Sequence, residues 1–126
     1  MQRITPFLWF DKEARQAAKF YTSVFKGSIK ERATIDNTPS GTVEIITIEL
    51  LGQEFTLISA GPYFKFTEAV SFVVHCETQK EIDYYWKKLS FDPKAEKCGW
   101  LKDRYGLSWQ IVPAVLAKML QDRDKR

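Results

Sequence analysis

The sequence is poor in the side chains that most often bind metals or act as nucleophiles. Its 126 residues include one histidine, His75, and two cysteines, Cys76 and Cys98. A single histidine excludes a histidine-rich metal centre within one chain, because such a centre needs several imidazole ligands. Two cysteines without a paired-cysteine motif indicate reduced thiols and no disulfide framework, which favours a cytoplasmic protein.

Features typical of a membrane, nucleotide or nucleic-acid partner are also missing from the sequence. No apolar run is long enough to span a bilayer, and the first residues do not resemble a signal peptide. There is no glycine-rich phosphate loop, no Rossmann glycine pattern and no paired-histidine zinc motif. The net charge is only +3, and the basic residues are scattered among acidic ones. We therefore expect neither a membrane nor a nucleic acid as partner.

Apolar residues, in contrast, are abundant enough to build a core. Hydrophobic residues make up 44% of the chain and aromatic residues 14%, and the length predicts a single domain over residues 1–126. The clearest local signal runs from Cys98 to Pro113. Asp103 and Gly106 bound a turn in which glycine takes a positive φ, and the apolar flanks predict a β-hairpin. Lys102 and Asp103 are predicted to be exposed turn charges.

The order of the predicted elements occurs twice in the chain. A strand, a helix and three strands are predicted over residues 4–61, with Asp11 as the helix N-cap and Gly27 as its end. A loop at 36–41 and an unusually aromatic connector at 61–67 are also predicted. A trimmed copy is predicted over residues 69–113, where Thr78 and Glu81 have the spacing of a capping box. A short closing helix is predicted at 114–120. The fold class predicted is therefore α+β, with two βαβββ units.

Residue pairing between the two halves supports this internal repeat. A shift of 65 residues pairs Phe7 with Phe72, and a shift of 54 pairs Thr56 with Gln110. The first shift also places Pro6 on Ser71. We infer from these pairings that Pro6, Thr56, Ser71 and Gln110 are four related inward positions. Period-2 alternation then predicts that Phe10 lies on the cavity face and that Phe7 and Trp9 pack under a helix.

Several segments resemble a known family. They are Ile4–Phe10, Ala17–Tyr21, Cys98–Asp103 and Gly106–Pro113. Two βαβββ units in one chain are similar to the vicinal oxygen chelate superfamily, which includes glyoxalase I and bleomycin-resistance proteins. The segments look like the small bacterial PhnB-like family, often labelled demethylubiquinone methyltransferase, and the resemblance covers nearly the whole chain. It implies a pair of curved sheets around a cavity and, by analogy, a homodimer.

The resemblance also implies where a metal would bind. Carried over by position, the four ligand sites fall at Pro6, Thr56, Ser71 and Gln110. Proline offers no side-chain ligand, and neutral hydroxyls are poor ligands for a divalent ion. We therefore predict no metal. The segment after the first strand contains no glycine with which to bind S-adenosylmethionine, so no cofactor is predicted either.

Candidate ligand contacts share the predicted cavity face. His75 is either a structural residue at the rim or a group that binds a ligand or moves a proton. Gln110 needs hydrogen-bond partners, from a ligand or from a neighbouring backbone group. Cys98 is interpreted as a buried thiol and not as a nucleophile, and His75 and Cys76 are predicted to point to opposite strand faces. The predicted ligand pocket therefore consists of Phe10, Ser71, His75, Trp100 and Gln110, with no catalytic residue assigned.

Two functions follow from this pattern and from the resemblance, and a structural or regulatory dimer without a ligand is a third interpretation. The first is a metal-free protein that binds a small molecule, as in bleomycin resistance. The alternative is an enzyme that acts on a small oxygenated or aromatic substrate, as a lyase, a dioxygenase-like enzyme or a methyltransferase. An enzyme should turn over a substrate in a reaction that depends on His75, whereas a binding protein needs only apolar walls. The sequence does not identify the ligand.

Overall fold

The computed structural model describes residues 2–115 of the chain. It divides into two compact units, Met1–Lys65 and Phe66–Arg126, with the boundary in the aromatic connector predicted at residues 61–67. Each unit contains one small sheet and one α-helix. This composition confirms the predicted α+β class, while the single domain stays a prediction. No helix in the described range is long and apolar enough to cross a membrane.

The first unit contains a four-stranded sheet. Its elements are β1 (Phe7–Phe10), α1 (Ala14–Phe25), β2 (Ser28–Thr38), β3 (Gly41–Leu50) and β4 (Gln53–Ser59). The strand order is β1-β4-β3-β2, with β1 parallel to β4 and the other neighbours antiparallel. The order strand, helix and three strands agrees with the predicted unit, although β2 continues through part of the predicted loop at 36–41.

The second unit is shorter. Its elements are β5 (Ser71–Cys76), α2 (Gln79–Leu89), a 3₁₀ turn (Pro93–Ala95), β6 (Trp100–Lys102) and β7 (Ser108–Pro113). The sheet order is β5-β7-β6, with β5 parallel to β7. In the described part of the chain this unit has one strand fewer than the first. In the first unit α1 is followed by the strand β2, whereas in the second unit α2 is followed by the 3₁₀ turn. Residues 116–120 of the predicted closing helix lie outside the described residues.

Each sheet has a face against its own helix, the helix face, and an opposite, helix-free face. In the first unit the backbone N–H of Ala14 in α1 donates to Ser59 Oγ at 2.9 Å, and Ser59 is the cross-strand partner of Phe10. Leu8 and Phe10 are therefore on the helix face, and they are 6% and 3% exposed. The prediction that Phe10 lies on the cavity face is wrong, and Trp9 belongs to the helix-free face.

The cause of this error is the constant shift of 65 residues. In the two sheets Phe7 lies opposite Thr56, and Val73 lies opposite Gln110. Because Thr56 and Gln110 are equivalent positions, their partners Phe7 and Val73 are equivalent as well. The residue numbers of β1 and β5 therefore differ by 66 and not by 65. The helices differ by 64, because buried Tyr21 corresponds to buried Tyr85. Every residue of β1 is apolar, so alternation could not reveal the one-residue slip that moves each side chain to the other face.

In the second unit the predicted faces are correct. Val74, Trp109 and Ile111 are buried and alternate with Val73 and His75, which are exposed. Gln110 is opposite Val73 and therefore shares the helix-free face. Thr78 caps α2 in the predicted capping box with Glu81, which is confirmed. The predicted cap at Asp11 is wrong, because α1 begins at Ala14 and its first N–H is satisfied by Ser59.

Gly106 closes the predicted turn before β7. Its N–H donates to the Asp103 carbonyl at 3.0 Å, and its φ of 85° confirms the left-handed conformation expected there. We expect Gly106→Val to lower the free energy of unfolding by about 1–3 kcal/mol, because a β-branched residue is strained at positive φ. Urea denaturation measures this difference. Gly106→Asn is the control, since asparagine tolerates this region. Equal stability of the valine variant and the wild type would contradict the assigned turn.

Candidate functional site

The helix-free face of the first unit opens into a cavity of about 600 Å³. This volume is within the range of about 300–1,000 Å³ that is usual for small-molecule sites. Its walls are mainly aromatic and aliphatic, and we call it the aromatic cavity. It is lined by Trp9, Ile35, Thr38, Pro39, Ser40, Val43, Ile58, Ala60, Tyr63 and Phe64.

Trp9 is held rigidly in this cavity. Its indole Nε1–H donates to the Gly61 carbonyl oxygen at 2.9 Å. The indole meets the ring of Phe64 edge to face, with the centroids 4.8 Å apart. Gly61 has a φ of 99°, and a Cβ at this position would lie 2.8 Å from the ring of Tyr63. The aromatic walls are thus positioned by one hydrogen bond and by a glycine that lets the chain turn closely past Tyr63.

The serine and threonine hydroxyls that line the aromatic cavity already have partners inside the protein. The Ser40 hydroxyl donates to the Ala60 carbonyl at 2.6 Å, and the Thr38 hydroxyl donates to the Gly41 carbonyl at 2.6 Å. No charged side chain is among the lining residues in the described part of the chain. The cavity therefore offers mainly dispersion contacts and ring stacking, which suit an uncharged and flat molecule.

This cavity was not predicted from the sequence, for an identifiable reason. Trp9 was predicted to pack under the helix, and residues 61–67 were predicted to be a connector. In the structure Tyr63 and Phe64 are 63% and 64% exposed, although both are large aromatic residues. Aromatic residues concentrated in a connector were the available signal, because a linker without a role has little reason to carry them.

In the second unit two of the predicted pocket residues lie together. Gln110 Nε2 donates to Ser71 Oγ at 2.9 Å, across the parallel pair β5 and β7. Trp100 is the cross-strand partner of Gln110 on the other side, and both residues are half-buried. These three side chains share the helix-free face of the sheet. The amide of Gln110 thus has a side-chain partner, and not only the backbone or ligand partners considered from the sequence.

The other two predicted pocket residues are placed differently. His75 is exposed and lies opposite Val112, further along β5 than Ser71. Phe10 is buried against α1 and therefore cannot line the helix-free face of its sheet. The structure consequently supports a smaller polar group of Ser71 and Gln110 beside Trp100, with His75 on the same face of β5.

The residues at the four implied ligand positions do not fit a divalent metal. The hydroxyls of Thr56 and Thr47 are 3.4 Å apart, and Ser71 is bound by Gln110. The shift of 66 no longer pairs Pro6 with Ser71, so the inference that Pro6 is an equivalent inward position is wrong, and Pro6 contributes its backbone carbonyl to the N–H of Thr56 at 2.9 Å. These neutral groups already have hydrogen-bond partners, whereas divalent ions prefer carboxylate or imidazole ligands. Within residues 2–115 no group of three or more His, Cys, Asp or Glu side chains could hold an ion.

The two thiols differ in their surroundings. Cys76 is 2% exposed and faces α2, and burial, followed by the nearby charge of Glu81, raises its pKa above the ordinary value. Its neighbour His75 is exposed on the opposite face of β5, as predicted, so the two do not form a catalytic pair. Cys98 is exposed, and the prediction that it is a buried thiol is wrong.

Asp103 organises the turn before β7, and the prediction that it is an exposed turn charge is wrong. Its side chain is buried, and the residue is only 2% exposed. Oδ1 accepts hydrogen bonds from the N–H of Tyr105 at 2.8 Å and of Leu107 at 3.1 Å, and Oδ2 accepts from Trp109 Nε1 at 2.9 Å. Asp103 therefore holds the turn and the buried indole of β7 in one arrangement.

Comparison with known proteins places the chain in a family. The family model described as 3-demethylubiquinone-9 3-methyltransferase matches residues 2–112. The chain belongs to this family. The PhnB protein from Bacillus cereus, described as a putative 3-demethylubiquinone-9 3-methyltransferase, is 38% identical, with a TM-score of 0.72 over 88% of this chain and 99% of that one. The predicted PhnB-like membership is thus confirmed. No curated protein matches significantly.

More distant structures show the fold of this 3-demethylubiquinone-9 3-methyltransferase family member. A glyoxalase/bleomycin resistance protein/dioxygenase domain from Frankia is 12% identical, with a TM-score of 0.60 over 90% of this chain and 93% of that one. A mutant of the fosfomycin resistance protein FosX from Listeria monocytogenes, complexed with Mn(II) and 1S,2S-dihydroxypropylphosphonic acid, is 12% identical. Its TM-score is 0.59 over 95% and 96% of the two chains. The fold is that of the vicinal oxygen chelate superfamily.

Proposed function

We propose that this protein binds an uncharged, flat small molecule in the aromatic cavity and that it does so without a metal. The observation that carries the proposal is the cavity itself, about 600 Å³ with walls that include Trp9, Tyr63 and Phe64. The hydroxyls of Ser40 and Thr38 are already paired within the protein, which leaves the Tyr63 hydroxyl as the polar side-chain group for a ligand to meet. Affinity would come from apolar burial, worth about 25 cal/mol per Å² before the costs of binding are subtracted.

Metal independence is proposed from the chemistry of the available ligands. The Listeria relative was complexed with Mn(II), and it shares the fold with this chain at low sequence identity. Here Thr56, Ser71 and Gln110 stand at the implied ligand positions, and each is neutral and paired with a neighbouring side chain. Neutral, paired groups do not replace the hydration shell of a divalent ion favourably. The proposal is therefore a binding protein of the bleomycin-resistance type.

Methyl transfer is less well supported than binding, despite the description of the family. The segment between β1 and α1 is Asp11–Lys12–Glu13, without a glycine. A glycine-rich turn commonly lets the backbone approach a nucleotide-like cofactor at this point of an α/β fold. Nothing in this segment provides such an approach, and we derive no step through S-adenosylmethionine.

The polar residues of the second unit are proposed as contacts for a ligand bound to that unit. Gln110 and Ser71 form one hydrogen-bonded pair, and Trp100 and His75 share their helix-free face. A ligand with a carbonyl or hydroxyl group would exchange partners with this pair. Gln110→Ala and His75→Ala should then weaken binding of such a ligand to the second unit while they leave the melting temperature nearly unchanged.

Removing one wall tests the aromatic cavity directly. We expect Phe64→Ala to raise the dissociation constant for N-phenyl-1-naphthylamine, a neutral fluorescent aromatic probe, about tenfold, because edge contacts and apolar area are lost. Fluorescence titration measures this change. Phe91→Ala is the matched control, since Phe91 is 68% exposed, as Phe64 is at 64%, but does not line the cavity. Equal weakening in both variants would overturn the assignment of the site.

A homodimer is also proposed. Phe7 and Val73 lie on the helix-free faces and are 56% and 42% exposed, so each unit presents apolar area that association could cover. Light scattering at micromolar concentration should give about twice the chain mass of 14.7 kDa. The mass of a single chain at that concentration would contradict the dimer.

A further inference from the structure

A second cavity, of about 540 Å³, lies within the second unit beside β6. Three of its lining residues are lysines, whereas none of the described residues that line the aromatic cavity is charged. We call it the lysine cavity. It is lined by Glu68, Lys94, Ala95, Lys97, Cys98, Trp100, Leu101, Lys102 and Ser108.

The charges around the lysine cavity do not cancel. Glu68 is the one acidic lining residue, and its carboxylate pairs with Lys102 Nζ at 2.8 Å. This hydrogen bond is the main reason that the pKa of Glu68 is lowered. Lys94 and Lys97 form no ion pair with the described residues. Two lining lysines thus have no ion-pair partner among the described residues, and their positive charges would favour an anion in the cavity.

An unsatisfied hydroxyl lies in the wall of the same cavity. Ser108 is 1% exposed, and its Oγ has no hydrogen-bond partner within the described protein. Buried hydroxyls are nearly always paired, so an orphan in the wall of a cavity calls for an explanation. A ligand with a polar atom placed against Ser108 would supply the missing partner.

The turn before β6 places a large ring beside the charges. Lys97 and Trp100 exchange backbone hydrogen bonds of 2.7 and 3.1 Å across Cys98 and Gly99. Both central residues have positive φ, 46° and 88°, which is the conformation of a type I′ turn. This tight turn brings Lys97 and Trp100 side by side at the cavity, so that a cation and an aromatic wall are presented together.

We propose that the lysine cavity binds a small aromatic carboxylate. Lys94 and Lys97 attract the carboxylate, Trp100 contacts the ring, and Ser108 pairs with a polar atom of the ligand. The site is separate from the aromatic cavity, and the inference does not rest on the function proposed above. It adds an anionic ligand class to a protein whose other cavity suits an uncharged one.

Benzoate is the probe, with benzamide as its neutral isostere. Isothermal titration of the full chain at low salt should show that benzoate binds at least tenfold more tightly than benzamide. Lys94→Gln combined with Lys97→Gln should remove this preference. Lys87→Gln combined with Lys88→Gln is the matched control, since both residues are exposed in the last turn of α2 and outside the cavity. Equal loss in both double variants, or equal binding of benzoate and benzamide, would overturn the proposal.

Two further measurements test the position of the ring and of the hydroxyl. Trp100→Leu should weaken benzoate several-fold without changing the weak binding of inorganic phosphate, because phosphate has no ring. Saturating benzoate should slow the alkylation of Cys98 by iodoacetamide at least fivefold, and Ser108→Ala should reduce this protection. Cys76 does not interfere, since it is buried. An unprotected Cys98, or competition by phosphate equal to that by benzoate, would contradict an aromatic carboxylate site.

Discussion

Replacing Asp103 by alanine should lower the free energy of unfolding by about 3 kcal/mol or more. The carboxylate accepts hydrogen bonds from the N–H groups of Tyr105 and Leu107 and from the indole of Trp109. Each buried donor left without a partner costs about 1–3 kcal/mol, and three are lost together, although such costs are not strictly additive. Urea denaturation followed by tryptophan fluorescence measures the change.

The control for this variant is a second aspartate in the same unit. Asp92 is exposed, and its side chain accepts a hydrogen bond from the N–H of Lys94 at 3.0 Å. Asp92→Ala should cost only about 1 kcal/mol, as expected for the loss of one capping interaction. If Asp103→Ala were no more destabilising than Asp92→Ala, Asp103 would not organise the turn and β7.

Gly27→Ala should also destabilise the protein strongly, for a steric reason. A Cβ at Gly27 would clash with the backbone carbonyl oxygen of Glu49 in β3. This neighbour is backbone within the β2–β3 ladder, where Ser28 pairs with Glu49, so it cannot move as a flexible side chain would. We expect a loss at or above the upper end of the range of about 1–3 kcal/mol that overpacking usually costs.

Lys26, the residue before Gly27, provides a control in which the expected change in stability has the opposite sign. Lys26 is the C-cap of α1 and has a φ of 53°, in the left-handed region that favours glycine. Lys26→Gly should therefore leave stability unchanged or raise it by up to about 1 kcal/mol. Urea denaturation of the two single variants gives both values. A Gly27→Ala variant as stable as Lys26→Gly would contradict the close approach to Glu49.

The fold was largely predictable because its signals are local and redundant. Thr78 and Glu81 specify a helix start by their spacing alone, and Gly106 specifies a turn by its conformational freedom. Gly27 was correctly associated with the end of α1 but for the wrong reason. The left-handed residue is Lys26, and glycine is needed at 27 because β3 lies against it. That requirement is a tertiary contact, which a single sequence does not display.

The site was less predictable because it depends on register. In β1 all four residues are apolar, so alternation does not distinguish the helix face from the helix-free face. The placement of Phe10 and Trp9 was reversed for this reason, and the aromatic cavity was overlooked. In β5 and β7 polar residues mark one face, and the predicted proximity of Ser71 and Gln110 agrees with their hydrogen bond.

Asp103 shows a second limit of sequence reasoning. An aspartate that begins a turn is usually solvated, and Asp103 was predicted to be exposed for this reason. Its burial arises because Trp109, six residues further on, directs its indole N–H at the same carboxylate. Only the return of β7 beside β6 brings these two side chains together.

Native mass spectrometry of the protein purified from cells without added metal tests the central proposal most directly. The spectrum reports every bound small molecule and metal ion by mass, before and after dialysis against a chelator. Metal-independent binding in the aromatic cavity predicts an organic adduct that survives chelation in the wild type and in Phe91→Ala, and that is lost in Phe64→Ala. An adduct that disappears with the chelator, or one that Phe64→Ala retains in full, would contradict it.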